Sequence, residues 1–187
     1  MKTNIKIRKM VGLSCLTAIL VVLYFISSYI KIGTVEITLA LFPIAIGAII
    51  YGPSAGLFLG VINGLLVLFS PGTQSIFMPL NPIATVILCP LKTGLAGLTA
   101  GYLFKLIKKI NFITAIFVSS IIVPVINTLI FSIGAMLFFN TSFEEIIKMI
   151  IAINFIIELT INTILAPCAV YLVKILSRYF NIGFEIN

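Results

Sequence analysis

The chain has 187 residues, 61% of them hydrophobic and 9% charged, with a formal net charge of +7 and no histidine. A soluble domain carries about 25% charged residues, and a soluble body of this length has too little interior to hide so much apolar surface, so the composition points to one all-α integral membrane domain over 1–187. The basic residues gather at the ends of apolar runs without interleaved aromatics, which reads as topology and excludes nucleic acid as a partner.

Lys2, Lys6, Arg8 and Lys9 precede the first apolar run in the manner of a signal peptide. That run is too long for such a segment and lacks a small-x-small cleavage site, so an uncleaved first helix is expected over about Met10 to Ile30. Lys31 to Glu36, with Gly33, breaks the chain. A second helix is expected over about 37–51, ending at the breaker pair Gly52-Pro53, and a third over about 54–69. Both are short for a span of about 20 residues. Residues 70–82 read as an irregular loop with Pro79 and Pro82. The fourth helix is expected over about 83–107, the fifth over 113–139 and the sixth over 145–179, where Ser142 and Glu145 fit a capping box. The sixth is long for one span, so its first turns are expected along the membrane surface. Six spans place Lys2, Lys6, Arg8, Lys9, Lys105, Lys108, Lys109, Lys174 and Arg178 on one side and only Lys31 and Lys148 on the other. Both termini are therefore expected in the cytoplasm.

Cys15, Cys89 and Cys168 sit inside apolar runs with no short paired spacing, and read as small packing residues. No metal site and no cofactor are expected. Gly52, Gly56, Gly60 and Gly64 recur every four residues, as do Gly97 and Gly101 with Ala96 and Ala100. This spacing lets helix backbones approach closely. It reads first as packing within one bundle, and second as a sliding surface for a partner subunit; Ser14 and Ala18 offer a smaller pair on the first helix.

The sixth helix carries Asn154, Glu158 and Asn162 at i, i+4 and i+8. Each step of four advances the direction by about 400°, so the three side chains fall within about 80° of arc, a single polar stripe. Lys92 is the other ionisable residue deep in an apolar run, nine residues or about 14 Å below the start of its helix. A charge at mid-bilayer costs about 2.5–3.5 kcal/mol on insertion scales. Two readings stand open: Lys92 and Glu158 pair as a structural ion pair, or they face a cavity and bind a polar solute. Asn127, which follows Pro124, and Gln74, Asn81 and Asn63 offer amides in the same outer half.

Catalysis finds no support. The chain has no Asp or His, no Ser beside a base and no phosphate-binding loop, so it is not expected to be an enzyme, and uphill transport would draw on a partner or an ion gradient.

The hairpin Phe42-Pro-Ile-Ala-Ile-Gly-Ala-Ile-Ile-Tyr-Gly-Pro-Ser-Ala-Gly56, together with Asn154 to Pro167, resembles the substrate-binding S component of energy-coupling factor (ECF) vitamin transporters. The resemblance covers nearly the whole chain. Ser14 and Ala18 are similar to the Ala-x-x-x-Ala motif that such proteins present to the coupling subunit, with Ser at the first position. The resemblance implies six helices, a vitamin site near the outer face, and docking on a transmembrane coupling subunit with two ATPases in a prokaryotic plasma membrane. It also implies a body that topples in the membrane to deliver its solute. Residues 35–43, Val35-Glu-Ile-Thr-Leu-Ala-Leu-Phe-Pro43, resemble the pantothenate and riboflavin branches. Thiamine and biotin sites in the family usually stack aromatics, and this chain has no Trp. Lys92 as partner of a carboxylate suits pantothenate, with riboflavin next. The polar positions themselves make Lys92, Asn127, Asn154, Glu158, Asn162, Asn81 and Gln74 the expected solute contacts, and the resemblance implies Ser14 and Ala18 as docking residues. The rivals are an autonomous ion-coupled carrier using Glu158 and a small membrane enzyme.

Overall fold

A computed structural model describes residues 2–29, 31–32, 35–36, 38–139 and 155–180. Helix α1 covers Lys2–Tyr29, α2 Leu41–Tyr51 and α3 Pro53–Leu68. A π-helical turn at Thr73–Phe77 and a three-residue α4 at Met78–Leu80 follow, and then come α5 at Pro82–Ile107, α6 at Phe112–Phe138 and α7 at Ile156–Phe180. Between α1 and α2 a short antiparallel pairing joins β1 (Lys31–Ile32) to β2 (Val35–Glu36), with Lys31 opposite Glu36. Helix α1 starts well ahead of Met10, because nothing in residues 2–9 breaks a helix. The polar stretch 140–154, with the expected cap at Ser142 and Glu145, lies outside the described residues.

Among the described residues four helices are long and apolar enough to cross a membrane: Ile7–Tyr29, α5, α6 and Ile156–Ile175 of α7. Helix α3 and the segment Thr73–Leu80, bent by 67° at their junction, form either a broken fifth span or a re-entrant loop. Helix α2 has 11 residues, about 16 Å at 1.5 Å per residue, shorter than the about 20 residues of a full span. It is apolar all round and accordingly lies inside the bundle, with Leu41, Ile44, Ala45, Ala48 and Ile49 at 0–1% exposure. Large side chains such as Val22, Phe25, Ile87, Ile133 and Ile164 cover the outside instead. Apolar groups outward and polar groups inward is the arrangement a lipid solvent selects.

The α2–α3 break follows from its residues. Gly52 takes φ 95°, a conformation costly for any residue with a Cβ, and its N–H donates to Ala48 O. Pro53 then occupies the first turn of α3, where its missing N–H costs nothing. Asn81 and Asn111 cap α5 and α6 by accepting from Ala84 N–H and Thr114 N–H, each at 3.1 Å.

The glycine rows meet each other. A Cβ on Gly56 would run into the Gly97 carbonyl, one on Gly60 into Thr93 O, and one on Gly64 into Cys89 O and Pro90. Thr93 stitches the seam by donating to Gly60 O at 2.6 Å, while also reaching Cys89 O at 3.0 Å. These glycines therefore face α5 within the chain, and no glycine surface is left there for another subunit.

Candidate solute-binding site

Helix α7 carries Glu158 and Asn162 one turn apart. Glu158 is 3% and Asn162 1% exposed, so the stripe faces inward. Asn154 lies outside the described residues. Asn127 on α6 is 7% exposed, and Lys92 on α5 is half-buried.

These groups converge. Thr38, Asn127 and Lys92 all lie near the Glu158 carboxylate. Lys92 and Glu158 thus feel each other, while the ammonium is seated over the Phe131 ring, 4.5 Å from its centre. Phe131 belongs to an aromatic group: Phe77 stands edge-on to it at 5.2 Å, and Phe139 lies 5.5 Å from Phe77.

The two inner amides are alike in one respect. Asn127 lies close to Glu158, and Asn162 Nδ2 donates to the Glu158 backbone carbonyl at 2.9 Å. In each the carbonyl oxygen is buried and unpartnered among the described residues. An unpaired buried acceptor costs about 1–3 kcal/mol. Two of them on adjacent helices, beside an ammonium, form a site that offers acceptors to hydroxyl or amide groups and a positive charge to an anion.

Gln74 and Asn81 serve otherwise. Gln74 is exposed and its Nε2 donates to Leu68 O at 2.6 Å, closing the bend after α3. Asn81 caps α5 and also donates to Phe138 O at 3.4 Å, tying that bend to the end of α6. Both shape the rim rather than the interior. Asn63 is fully buried on α3, with no partner for either amide atom among the described residues. Ser14 and Ala18 are exposed on α1 and line a shallow groove with Ile7, Met10, Val11 and Cys15. The Ser14 hydroxyl donates back to Met10 O at 2.9 Å, so this face presents little unsatisfied polarity.

Sequence reasoning missed Thr38 and Phe131. Thr38 carried only the signal of standing at the break before α2, and Phe131 is one of 15 phenylalanines.

A family model described as ECF transporter, substrate-specific component, matches residues 8–177. The chain belongs to this family. No curated protein and no solved structure matches it. As a substrate-specific component it is a multi-pass membrane protein and a transporter subunit rather than an enzyme, and its family implies a substrate and a coupling module as partners. The inward polar cluster at Lys92, Asn127, Glu158 and Asn162 lies within the matched span.

Proposed function

We propose that the chain is the high-affinity vitamin-binding subunit of an ECF-type importer, with pantothenate as its solute. It spans the plasma membrane of a prokaryote six times, with both termini cytoplasmic, and passes its solute to a transmembrane coupling subunit driven by two ATPases. Lys92, Asn127 and Asn162 contact the solute directly. Glu158 and Asn154 complete that wall, and Gln74 and Asn81 hold its rim.

The observation that carries this reading is the pair of unpartnered carbonyl oxygens on Asn127 and Asn162 beside the Lys92 ammonium. Pantothenate brings a carboxylate for the ammonium and hydroxyl and amide donors for the oxygens. The Phe77, Phe131 and Phe139 group favours riboflavin as the second reading, since a flat ring system would lie well against it. Calorimetry on the purified chain in lipid nanodiscs tests both. Pantothenate is expected to bind with Kd below about 1 µM. Tight riboflavin binding with none of pantothenate would select the second reading, and solute flux through the chain alone in liposomes would select an ion-coupled carrier.

A further inference from the structure

The bend after α3 reaches the polar cluster through one ring. Phe77, the last residue of the π-helical turn, stands between two rings carried by α6 and its end: Phe131 at 5.2 Å, edge-on at 90°, and Phe139 at 5.5 Å and 49°. Both separations lie in the range of about 4.5–7 Å in which aromatic pairs attract. Phe131 in turn lies under the Lys92 ammonium at 4.5 Å. Three elements distant in sequence thus meet in one line of contacts, from the bend to α6 and from α6 to α5.

The backbone beneath Phe77 is tied to the same helix that bears Lys92. The Phe77 carbonyl accepts from Asn81 N–H at 3.2 Å and from the Thr85 hydroxyl at 3.0 Å. Thr85, 1% exposed on α5, precedes Lys92 by two helical turns on one face. Earlier in the bend, Met78 N–H donates to Thr73 O, the bond of a π turn, a turn type that recurs at functional sites. Gln74 Nε2 holds the start of the bend by donating to Leu68 O at 2.6 Å. Lys92 needs a support of this kind, because its ammonium is a point charge on a flexible stem that reaches several rotamers. A ring held on its far side by a second ring gives that charge one place. The ammonium on a ring still keeps N–H donors for a further group.

We propose that Phe77 is a positioning residue for Lys92. It holds Phe131 edge-on, Phe131 supports the ammonium, and the braced bend after α3 thereby fixes where the cluster presents its positive charge to an anionic group. The consequence for affinity rests on the binding reading above; the placement of the ammonium does not, because every contact in the line is present without solute.

The test uses the full chain in nanodiscs, first without solute. Reductive methylation places isotope-labelled methyl groups on the lysine amines and keeps their charge. Methyl groups above a ring face resonate upfield of those in solvent, so the Lys92 signal reports its place on Phe131; Lys92→Arg assigns it. Phe77→Leu is expected to move that signal toward the position of an exposed lysine such as Lys109, and Phe77→Tyr, which keeps the ring, to leave it near wild type. The second arm is calorimetry with pantothenate. Phe77→Leu is expected to weaken binding about 3-fold, the scale of a lost cation–π contact. The same substitution in a Lys92→Met background is expected to cost nothing more, because the group it positions is gone. An unmoved Lys92 signal in Phe77→Leu would overturn the proposal. So would an equal affinity loss with and without Lys92, which would make Phe77 a direct solute contact. A moved signal with pantothenate affinity unchanged would overturn its part in recognition. If no vitamin binds, the methyl signal still decides whether Phe77 positions Lys92, and only the vitamin reading fails.

Discussion

The ammonium of Lys92 lies 4.5 Å from the centre of the Phe131 ring, so α5 and α6 are joined at the polar cluster by a cation on an aromatic face. A charge at this depth is otherwise difficult to place, and the ring offers it a partner without neutralising it. The residue is held in position and still able to attract an anion. Lys92→Met, which keeps the stem and removes the charge, is expected to weaken pantothenate binding by about 10- to 100-fold, the range for a charge-assisted hydrogen bond of 1.5–3 kcal/mol. Phe131→Leu is expected to cost about 3- to 10-fold, since a cation–π contact contributes about 0.5–1 kcal/mol or somewhat more when desolvated. Calorimetry on both variants checks this. Equal affinity for the carboxylate solute in Lys92→Met would remove Lys92 from the site.

The seam between α3 and α5 makes a prediction about stability alone. Gly60 faces the Thr93 carbonyl and Gly56 the Gly97 carbonyl, both backbone atoms that cannot swing aside. Gly60→Ala forces the helices apart and is expected to lower stability by about 1–3 kcal/mol, the usual range for overpacking. It also strains the Thr93 hydrogen bond to Gly60 O. Gly12 lies instead against the Tyr51 ring and hydroxyl, a side chain that can move, so Gly12→Ala is expected to cost less. Thermal unfolding of the two variants in detergent measures the difference, and equal losses would contradict the backbone-contact argument.

Much of this architecture was legible in the sequence because each boundary carries its own chemistry. Gly52-Pro53 marks a turn through φ and a missing donor, Asn81-Pro82 and Asn111 are caps, and the i, i+4 spacing of Glu158 and Asn162 fixes one inward face. The same rule makes Asn81, a solute-contact candidate, also the cap before Pro82. What escaped was tertiary. A glycine row has the same spacing whether it faces another helix of the chain or a second protein, and only the α3–α5 contacts assign it. Thr38 reaches Glu158 from more than a hundred residues away, and no local pattern records such a meeting. The bend at Ser70 to Thr73, held by hydroxyl and N–H bonds of 3.0 and 3.2 Å, is likewise set by side chains that in sequence read only as a polar loop.

Asn63 separates packing polarity from site polarity. Its side chain is fully buried on α3, the helix packed against α5, with both amide atoms unpartnered among the described residues. An unpartnered buried amide carries its desolvation cost with no return, so a similar apolar volume is neutral or better. Asn63→Leu is expected to leave vitamin affinity within about 2-fold and to hold or raise the unfolding temperature. Asn162→Leu, by contrast, removes an acceptor from the cluster and the bond to Glu158 O, and is expected to lose about 10-fold or more in affinity. Calorimetry and thermal unfolding on the pair decide it, and a large affinity loss in Asn63→Leu would extend the site into the seam.

The α1 face carries the last prediction, which concerns the partner rather than the solute. Ser14 and Ala18 stand one turn apart on an exposed strip, flanked by Met10, Val11 and Cys15. Small residues at that spacing let another helix approach closely, which is where packing in lipid draws its strength. The Ser14 hydroxyl is already bonded to Met10 O, so it has no outward donor that a partner must satisfy. Ser14→Ala should therefore be silent. Ala18→Trp keeps the face apolar, leaves α1 folded and fills the approach with a ring. It is expected to reduce co-purification with the coupling subunit and vitamin uptake by about 10-fold or more, with Kd for the vitamin unchanged, because a loss of about 1.4 kcal/mol in docking already gives that factor. Co-purification and uptake are measured with the whole transporter expressed together, and binding with the chain alone. Normal uptake in Ala18→Trp would place the docking face elsewhere, and a matched loss of binding and uptake would mean that the substitution had disturbed the bundle instead.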